Sequence, residues 1–315
     1  MAKVKIYEMF LRDGLQSLKN IYTVPQKIQM FNMLNKCNYN CIEFGSTTNP
    51  KLLPQVGGSF ELWDYVKKHK NINFPTKYTM LVPSINHLQK VLDVDINSYG
   101  FVMSVSDEFS KRNMKMTTEQ SFNQTVDLVH KTIMANKNNR DLHIRVYISC
   151  SFGCPWEGLP KYQVSKLDAT VSTFSNIGYK YGLSKDQLDI VLADTVGMSD
   201  KYILGSILDE IDDINYVGLH MHMYGQNTGI ELKQNFEGII ETALNNRIYK
   251  FDTSLFGIGG CPYAKKSNSS ESIGNLSTIP LVTFLHKSGF KTDIKLDVLN
   301  EAAGEIHTMP LLEHR

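Results

Sequence analysis

The sequence predicts an α/β fold, a closed (β/α)8 (TIM) barrel with one additional C-terminal helix. Eight short apolar runs rich in β-branched and aromatic residues alternate with longer helical patterns from end to end. A parallel strand needs a crossover of helical length before its neighbour, and that alternation supplies one each time. The length of 315 residues suits such a barrel with modest extras. No Pro/Gly/Ser linker and no repeat beyond the βα rhythm divides the chain. A doubly wound open sheet is the competing architecture, and eight regular units favour closure.

In order, the strand-like runs are VKIYEMF (4–10), NCIEFGS (40–46), KYTMLVP (77–83), YGFVMSVS (99–106), HIRVYISC (143–150), LDIVLADT (188–195), YVGLHMHM (216–223) and KFDTSLFG (250–257). Each is short and apolar, as a strand covered on both faces requires. Among the intervening helical patterns are VPQKIQMFNMLNKC (24–37), SFELWDYVKKH (59–69), TEQSFNQTVDLVHKTIMANK (118–137) and NFEGIIETALNN (235–246), each too long for a strand. DIKLDVLNEAAGEIHTM (293–309) is the extra helix. The organisation expected is one catalytic domain over 1–315, the barrel covering about 1–290 and the extension about 291–315. Lys265 to Ser272, KKSNSSES, reads as a mobile surface loop.

Lys+Arg number 33 against Asp+Glu 32, a net charge of +1, so no global field points to nucleic acid. No apolar run reaches membrane-spanning length, and the N-terminus enters a strand pattern without a signal segment. The C-terminal EHR is no peroxisomal address. Five cysteines (Cys37, Cys41, Cys150, Cys154, Cys261) form no zinc-ribbon spacing and read as reduced thiols. The expectation is a soluble cytoplasmic protein with neither a nucleic-acid nor a membrane partner.

In such barrels chemistry collects where the strands end. Arg12 and Asp13 follow the first run, Glu43 lies in the second and Arg145 in the fifth. Asp194 ends the sixth, His220 and His222 lie in the seventh, and Asn275 follows the eighth. The two histidines are i and i+2 on a strand and so share one face. Asp13 with His220 and His222 offers mixed oxygen and nitrogen ligation. Oxygen from Asn275, water or substrate would complete a shell suited to Mg²⁺ or Mn²⁺ better than to Zn²⁺. On spacing alone, a structural ion-pair cluster with polar-core histidines accounts for the same residues equally well.

RDGLQ (12–16), IEFGSTTNPKLLPQ (42–55), SDEFSKRN (106–113), YISCSFGCPWEG (147–158), ADTVG (193–197), HMH with YGQ (220–226), GIGGCPYA (257–264) and GNLST (274–278) run in one order across nearly the whole chain. In them the sequence resembles the 3-hydroxy-3-methylglutaryl-CoA lyases, metal-dependent aldol/Claisen-type barrel enzymes. RDG alone marks only the wider superfamily, whereas GCPWEG and GGCPYA are far more specific. The resemblance implies Asp13, His220, His222 and Asn275 as ligands of Mg²⁺ or Mn²⁺. It implies Arg12 beside the substrate with Glu43 supporting it, and Asp194 and Cys261 as acid/base residues, with His220 an alternative base. It further implies an acyl-CoA substrate, cleavage to acetyl-CoA and acetoacetate, and a homodimer.

Ser106, Lys111 and Arg112 lie in a matching segment and are the candidates to meet the CoA moiety, although an exposed Lys-Arg pair is usually just solvated. Cys150 and Cys154 read as packing residues. Gly257, Gly259 and Gly260 read as a lid carrying Cys261, not as a dinucleotide fingerprint. The chain departs from the family pattern at Ser17-Leu18, at Met223, at Ile279, at Trp156 and in the length of the loop before Gly274. Two other readings accompany the lyase: a condensing acyl-CoA synthase on the same barrel, against which GGCPYA argues, and a catalytically silent barrel, against which the complete set of charged residues argues.

Overall fold

The computed structural model describes residues 2–158, 164–224, 230–261 and 273–309. The strands are β1 (Lys5–Glu8), β2 (Cys41–Ser46), β3 (Lys77–Leu81), β4 (Ser98–Ser104), β5 (His143–Ser149), β6 (Leu188–Asp194), β7 (Val217–Tyr224), β8 (Lys250–Thr253) and β9 (Ile273–Asn275). The helices are α1 (Val24–Asn35), α2 (Ser59–Val66), α3 (Ile85–Leu92), α4 (Asp107–Met114), α5 (Thr118–Ala135), α6 (Val164–Tyr181), α7 (Lys201–Leu208), α8 (Ile230–Asn245), α9 (Thr278–Lys287) and α10 (Leu296–Thr308). Strand order is β6-β5-β4-β3-β2-β1-β8-β7-β9, and β6 also pairs with β7. That is the order of a (β/α)8 barrel, as the alternation predicts, and α10 is the extra helix.

Two compact units divide the chain. The first comprises Met1–Leu81, Tyr249–Pro262 and Gly274–Arg315. Its parallel strands run β8-β1-β2-β3, with Lys5 opposite Lys250, Tyr7 opposite Cys41 and Cys41 opposite Lys77. Every residue of β2 is buried, which is why its run is apolar on both faces. Thr23 and Gln26 form a capping box that starts α1, and Pro25 fits its first turn because no backbone donor is needed there. Met30, Phe31 and Leu34 form the buried stripe of α1, and burying each stabilises the unit by about 1.5–3 kcal/mol. The stacked rings of Phe44 and Trp63, 5.4 Å apart, join β2 to α2.

The second unit comprises Val82–Ile248 and Tyr263–Ile273. Its strands run β4-β5-β6-β7, and β5 and β6 are buried throughout. Thr117 and Gln120 cap α5 as a second capping box, and Asp200 caps α7 through the backbone N–H groups of Tyr202 and Ile203.

The run KFDTSLFG predicts a longer eighth strand than forms. β8 stops at Thr253 and a short 3-10 turn, Leu255–Gly257, follows, with Phe256 in the left-handed region (φ 64°). SDEFSKRN forms helix, with Ser106 capping α4 through the N–H of Phe109. The loop Lys265–Ser272 and the C-terminal EHR lie outside the described residues. No described helix is long and apolar enough to cross a membrane.

Candidate active site

In the first unit the turn after β1 positions the charged residues. Residues Phe10–Gly14 close a π-type turn, the N–H groups of Arg12, Asp13 and Gly14 all donating to the Met9 carbonyl. Arg12 and Asp13 are buried there. The Arg12 guanidinium donates from Nε to Glu43 Oε1 and from Nη2 to Glu43 Oε2, both at 3.0 Å, a bidentate fork onto the middle of β2. Its Nη1 donates to Asp13 Oδ1 at 2.6 Å. Asn275 then donates from Nδ2 to Asp13 Oδ2 at 2.8 Å and to the Ile258 carbonyl at 3.0 Å. One buried chain, Glu43–Arg12–Asp13–Asn275, thus collects four of the candidates.

Gly259 lies against this chain with φ 131°, which favours glycine, and a Cβ there would stand 1.8 Å from Asn275 Nδ2 and 2.9 Å from Asp13 Oδ2. Gly259→Ala is therefore expected to break the Asn275–Asp13 contact. Activity should fall by about tenfold or more, the scale of a disturbed outer partner, with a crystal structure of the variant to show Asn275 displaced. Cys261 is partly exposed on the same segment, beyond Gly259 and Gly260, both at positive φ.

Sequence reasoning missed Glu8. Its buried carboxylate accepts from the N–H of Phe10 at 2.9 Å, the N–H of Leu255 at 3.0 Å and the hydroxyl of Thr278 at 3.1 Å. It ties the Arg12–Asp13 turn, the turn after β8 and the start of α9 into one frame. An acid amid the apolar residues of VKIYEMF was the available signal. Burial raises its pKa to about 7, against the lowering effect of these hydrogen bonds. The folded value exceeds the unfolded one, so Glu8 opposes folding increasingly as pH rises from 4.5 through 7. Relative to Glu8→Gln, the wild type is expected to lose about 3 kcal/mol between pH 5 and pH 8, measured by urea unfolding of both proteins at each pH.

In the second unit, β7 places His220 and His222 on one buried face, with their Nε2 atoms 3.1 Å apart. His222 Nδ1 lies 2.9 Å from the Thr195 carbonyl; since a carbonyl only accepts, Nδ1 carries the proton and Nε2 keeps its lone pair. Asp194, at the end of β6, is buried and accepts from the N–H groups of Met198 and Ser199, each at 2.9 Å. Burial raises its pKa, and those backbone donors offset part of the rise, as His222 would when protonated. Among the described residues, His220 and His222 offer two buried imidazole donors and Asp13 of the first unit a buried carboxylate, residue types that bind metal ions.

Lys111 and Arg112 are exposed on α4, Arg112 pairing with Glu108 at 3.4 Å and lying over the exposed Trp156 ring at 4.6 Å. Ser106 is fully buried, its hydroxyl accepting from the Phe109 N–H and donating to Cys154 Sγ at 3.0 Å. Cys150 and Cys154 are both buried. A hydrogen bond from Cys150, aided by Ser106 and two backbone N–H groups and opposed by burial, lowers the Cys154 pKa to about 6. Arg145 sits inside β5, not at its end, and is fully buried against Asp189. Among the departures from the family pattern, Leu18 and Met223 are buried packing residues, and Ser17 bonds the Gly14 carbonyl at 2.9 Å.

The HMGL-like family model matches residues 3–306. The human mitochondrial hydroxymethylglutaryl-CoA lyase is 30% identical over 309 residues, covering 96% of this chain and 85% of that protein. The cytoplasmic 3-hydroxy-3-methylglutaryl-CoA lyase of Rattus norvegicus is 29% identical over 304 residues, covering 95% and 79%. The crystal structure of the HMG-CoA lyase from Brucella melitensis superposes with a TM-score of 0.79 at 27% identity, covering 99% of this chain and 100% of that one. An HMG-CoA lyase from Acinetobacter baumannii, in complex with coenzyme A and 3-methylmalate, superposes with a TM-score of 0.74 at 26% identity, covering 96% and 89%.

Proposed function

We propose that this chain, which belongs to the HMGL-like family and is a carbon–carbon lyase, cleaves 3-hydroxy-3-methylglutaryl-CoA to acetyl-CoA and acetoacetate with the help of Mg²⁺ or Mn²⁺. The observation that carries this reading is the buried chain Glu43–Arg12–Asp13–Asn275. A buried ion-pair cluster adds little or nothing to stability over apolar residues of similar volume. A fixed guanidinium fork beside a carboxylate is what a reaction passing through an oxyanion needs.

The residues fit a divalent cation. Asp13, the amide oxygen of Asn275 and the imidazoles of His220 and His222 would supply the mixed oxygen and nitrogen donors that the family resemblance implies. The Nε2 atoms of His220 and His222 lie 3.1 Å apart, so both imidazoles would turn a nitrogen toward a shared cation. When bound, the cation would supply Lewis acidity that eases ionisation of the substrate's tertiary hydroxyl.

The chain's own groups do the rest. Asp194, whose raised pKa suits it to hold a proton, accepts the hydroxyl proton, with His220 the alternative base. The bond between the hydroxyl-bearing carbon and the methylene next to the thioester then breaks. Acetoacetate leaves as the ketone, and the bonding electrons remain as the acetyl-CoA enolate. Arg12, held by Glu43, stabilises the oxyanion. The Cys261 thiol delivers a proton to the enolate carbon. Lys111 and Arg112 meet the CoA phosphates, and Ser106 serves by capping their helix. The complex of the A. baumannii enzyme with coenzyme A supports an acyl-CoA substrate. The five free cysteines support a reducing, cytoplasmic setting.

The test is incubation of metal-stripped protein with 3-hydroxy-3-methylglutaryl-CoA, with and without Mg²⁺ or Mn²⁺, and quantification of acetyl-CoA and acetoacetate. Equimolar products that appear with metal and vanish with EDTA are expected. Folded protein that makes neither product with either metal would sink the reading.

A further inference from the structure

β5 carries His143, Arg145 and Tyr147 at alternate positions, so their side chains share one face. Arg145 is opposite Asp189 on β6, Tyr147 is opposite Val191, and Ala193 two residues further is opposite His220 on β7. The registers therefore place Arg145, Tyr147, Asp189 and His220 on one inner face of four adjacent strands, with Ser98 of β4 opposite His143. A continuous polar column runs along that face. Ser98 Oγ lies 2.8 Å from His143 Nδ1, and His143 Nε2 lies 2.9 Å from Asp189 Oδ2. Arg145 donates from Nε to the same Asp189 oxygen at 3.2 Å and from Nη1 to the Tyr147 hydroxyl at 2.9 Å. The Tyr147 ring then meets the His220 ring nearly perpendicular, at 83° and 5.9 Å between centroids.

Every member of this column is buried. Apolar residues of similar volume would fill the same space at no loss of stability, so stability alone does not account for it. Its upper end does. The two imidazoles converge only if each ring is turned correctly. His222 is turned by the Thr195 carbonyl. An orienting neighbour of His220 is the Tyr147 ring, whose hydroxyl is pinned by accepting from Arg145, which Asp189 in turn holds. We propose that Tyr147 is a positioning residue for His220, and that Arg145, Asp189, His143 and Ser98 form the support that fixes it. This rests on the reading of His220 as a metal ligand.

The test is Mn²⁺ affinity, followed by the electron paramagnetic resonance of free Mn²⁺, for the wild type and for Tyr147→Phe, Tyr147→Leu, Arg145→Lys and the double variant Arg145→Lys/Tyr147→Phe. Tyr147→Phe keeps the ring and loses the pin; it should bind about tenfold more weakly, and Tyr147→Leu, without the ring, approaches about 100-fold. Metal-free Tyr147→Phe should remain folded, with its unfolding temperature lowered by no more than the loss of one buried hydrogen bond implies. Because the pin is one contact, the double variant should bind no more weakly than its weaker single parent. Wild-type binding with Tyr147→Leu within about twofold of it would overturn this inference alone. A wild type that takes up no Mn²⁺ would overturn the metal reading and this inference with it.

Discussion

Arg12→Met is expected to lower kcat for cleavage of 3-hydroxy-3-methylglutaryl-CoA by about 10²–10³-fold, the usual result of removing one fixed oxyanion stabiliser. KM should change little, because the charge it answers develops after the substrate has bound. The same substitution strips the cation from Glu43 and Asp13, both buried. Breaking a buried pair this way costs about 3–5 kcal/mol, so urea unfolding has to accompany the kinetics. Arg12→Lys separates the two effects. A lysine keeps the charge and hence much of the stability, yet it cannot reproduce the two parallel bonds to Glu43. It should recover stability more fully than rate. Folded Arg12→Met with kcat within about tenfold of wild type would reduce Arg12 to a structural ion-pair partner.

The parts of this molecule that could be read in advance are those whose cause is local. Alternating strand and helix patterns locate β1 to β8 because hydrophobic period depends on near neighbours. His220 and His222 share a face because they are two apart on a strand. Arg12 and Asp13 were legible as a charged pair after the first strand. That Arg12 forks onto Glu43 while Asn275 reaches Asp13 depends on contacts 31 and 262 residues apart along the chain. Glu8 was missed for the same reason, since two of its partners, Leu255 and Thr278, belong to the far end of the sequence. Arg145 was legible only as a charge in the fifth run; its partner Asp189 sits between Leu188 and Ile190 in another run, where nothing local shows what its carboxylate meets. The eighth strand ends at Thr253, and the turn that follows places Phe256 in a left-handed conformation that no periodicity signals.

His222→Ala should abolish tight metal binding, with Mn²⁺ affinity falling by more than the roughly 10–100-fold that loss of an outer partner costs. Cleavage should fall in parallel at Mn²⁺ concentrations that saturate the wild type. Two features make His222 the sharper test of the pair. Its ring is fixed from behind by the Thr195 carbonyl, whose own residue is held by a 2.9 Å hydrogen bond from the Cys150 N–H to the Thr195 hydroxyl. Its Nε2 therefore points where it does whether or not His220 is present. Removing it deletes one donor from a rigid frame and leaves the rest in place. A polar-core histidine would behave otherwise: its loss would lower stability, and metal uptake and turnover would survive in the fraction that folds. Thr195→Val gives the graded control, because it removes only the hydroxyl that anchors the loop, and an intermediate loss of about tenfold in affinity is expected. A series in which affinity and rate fall together, from wild type through Thr195→Val to His222→Ala, while the unfolding midpoint barely moves, ties the imidazole to the cation and not to the core.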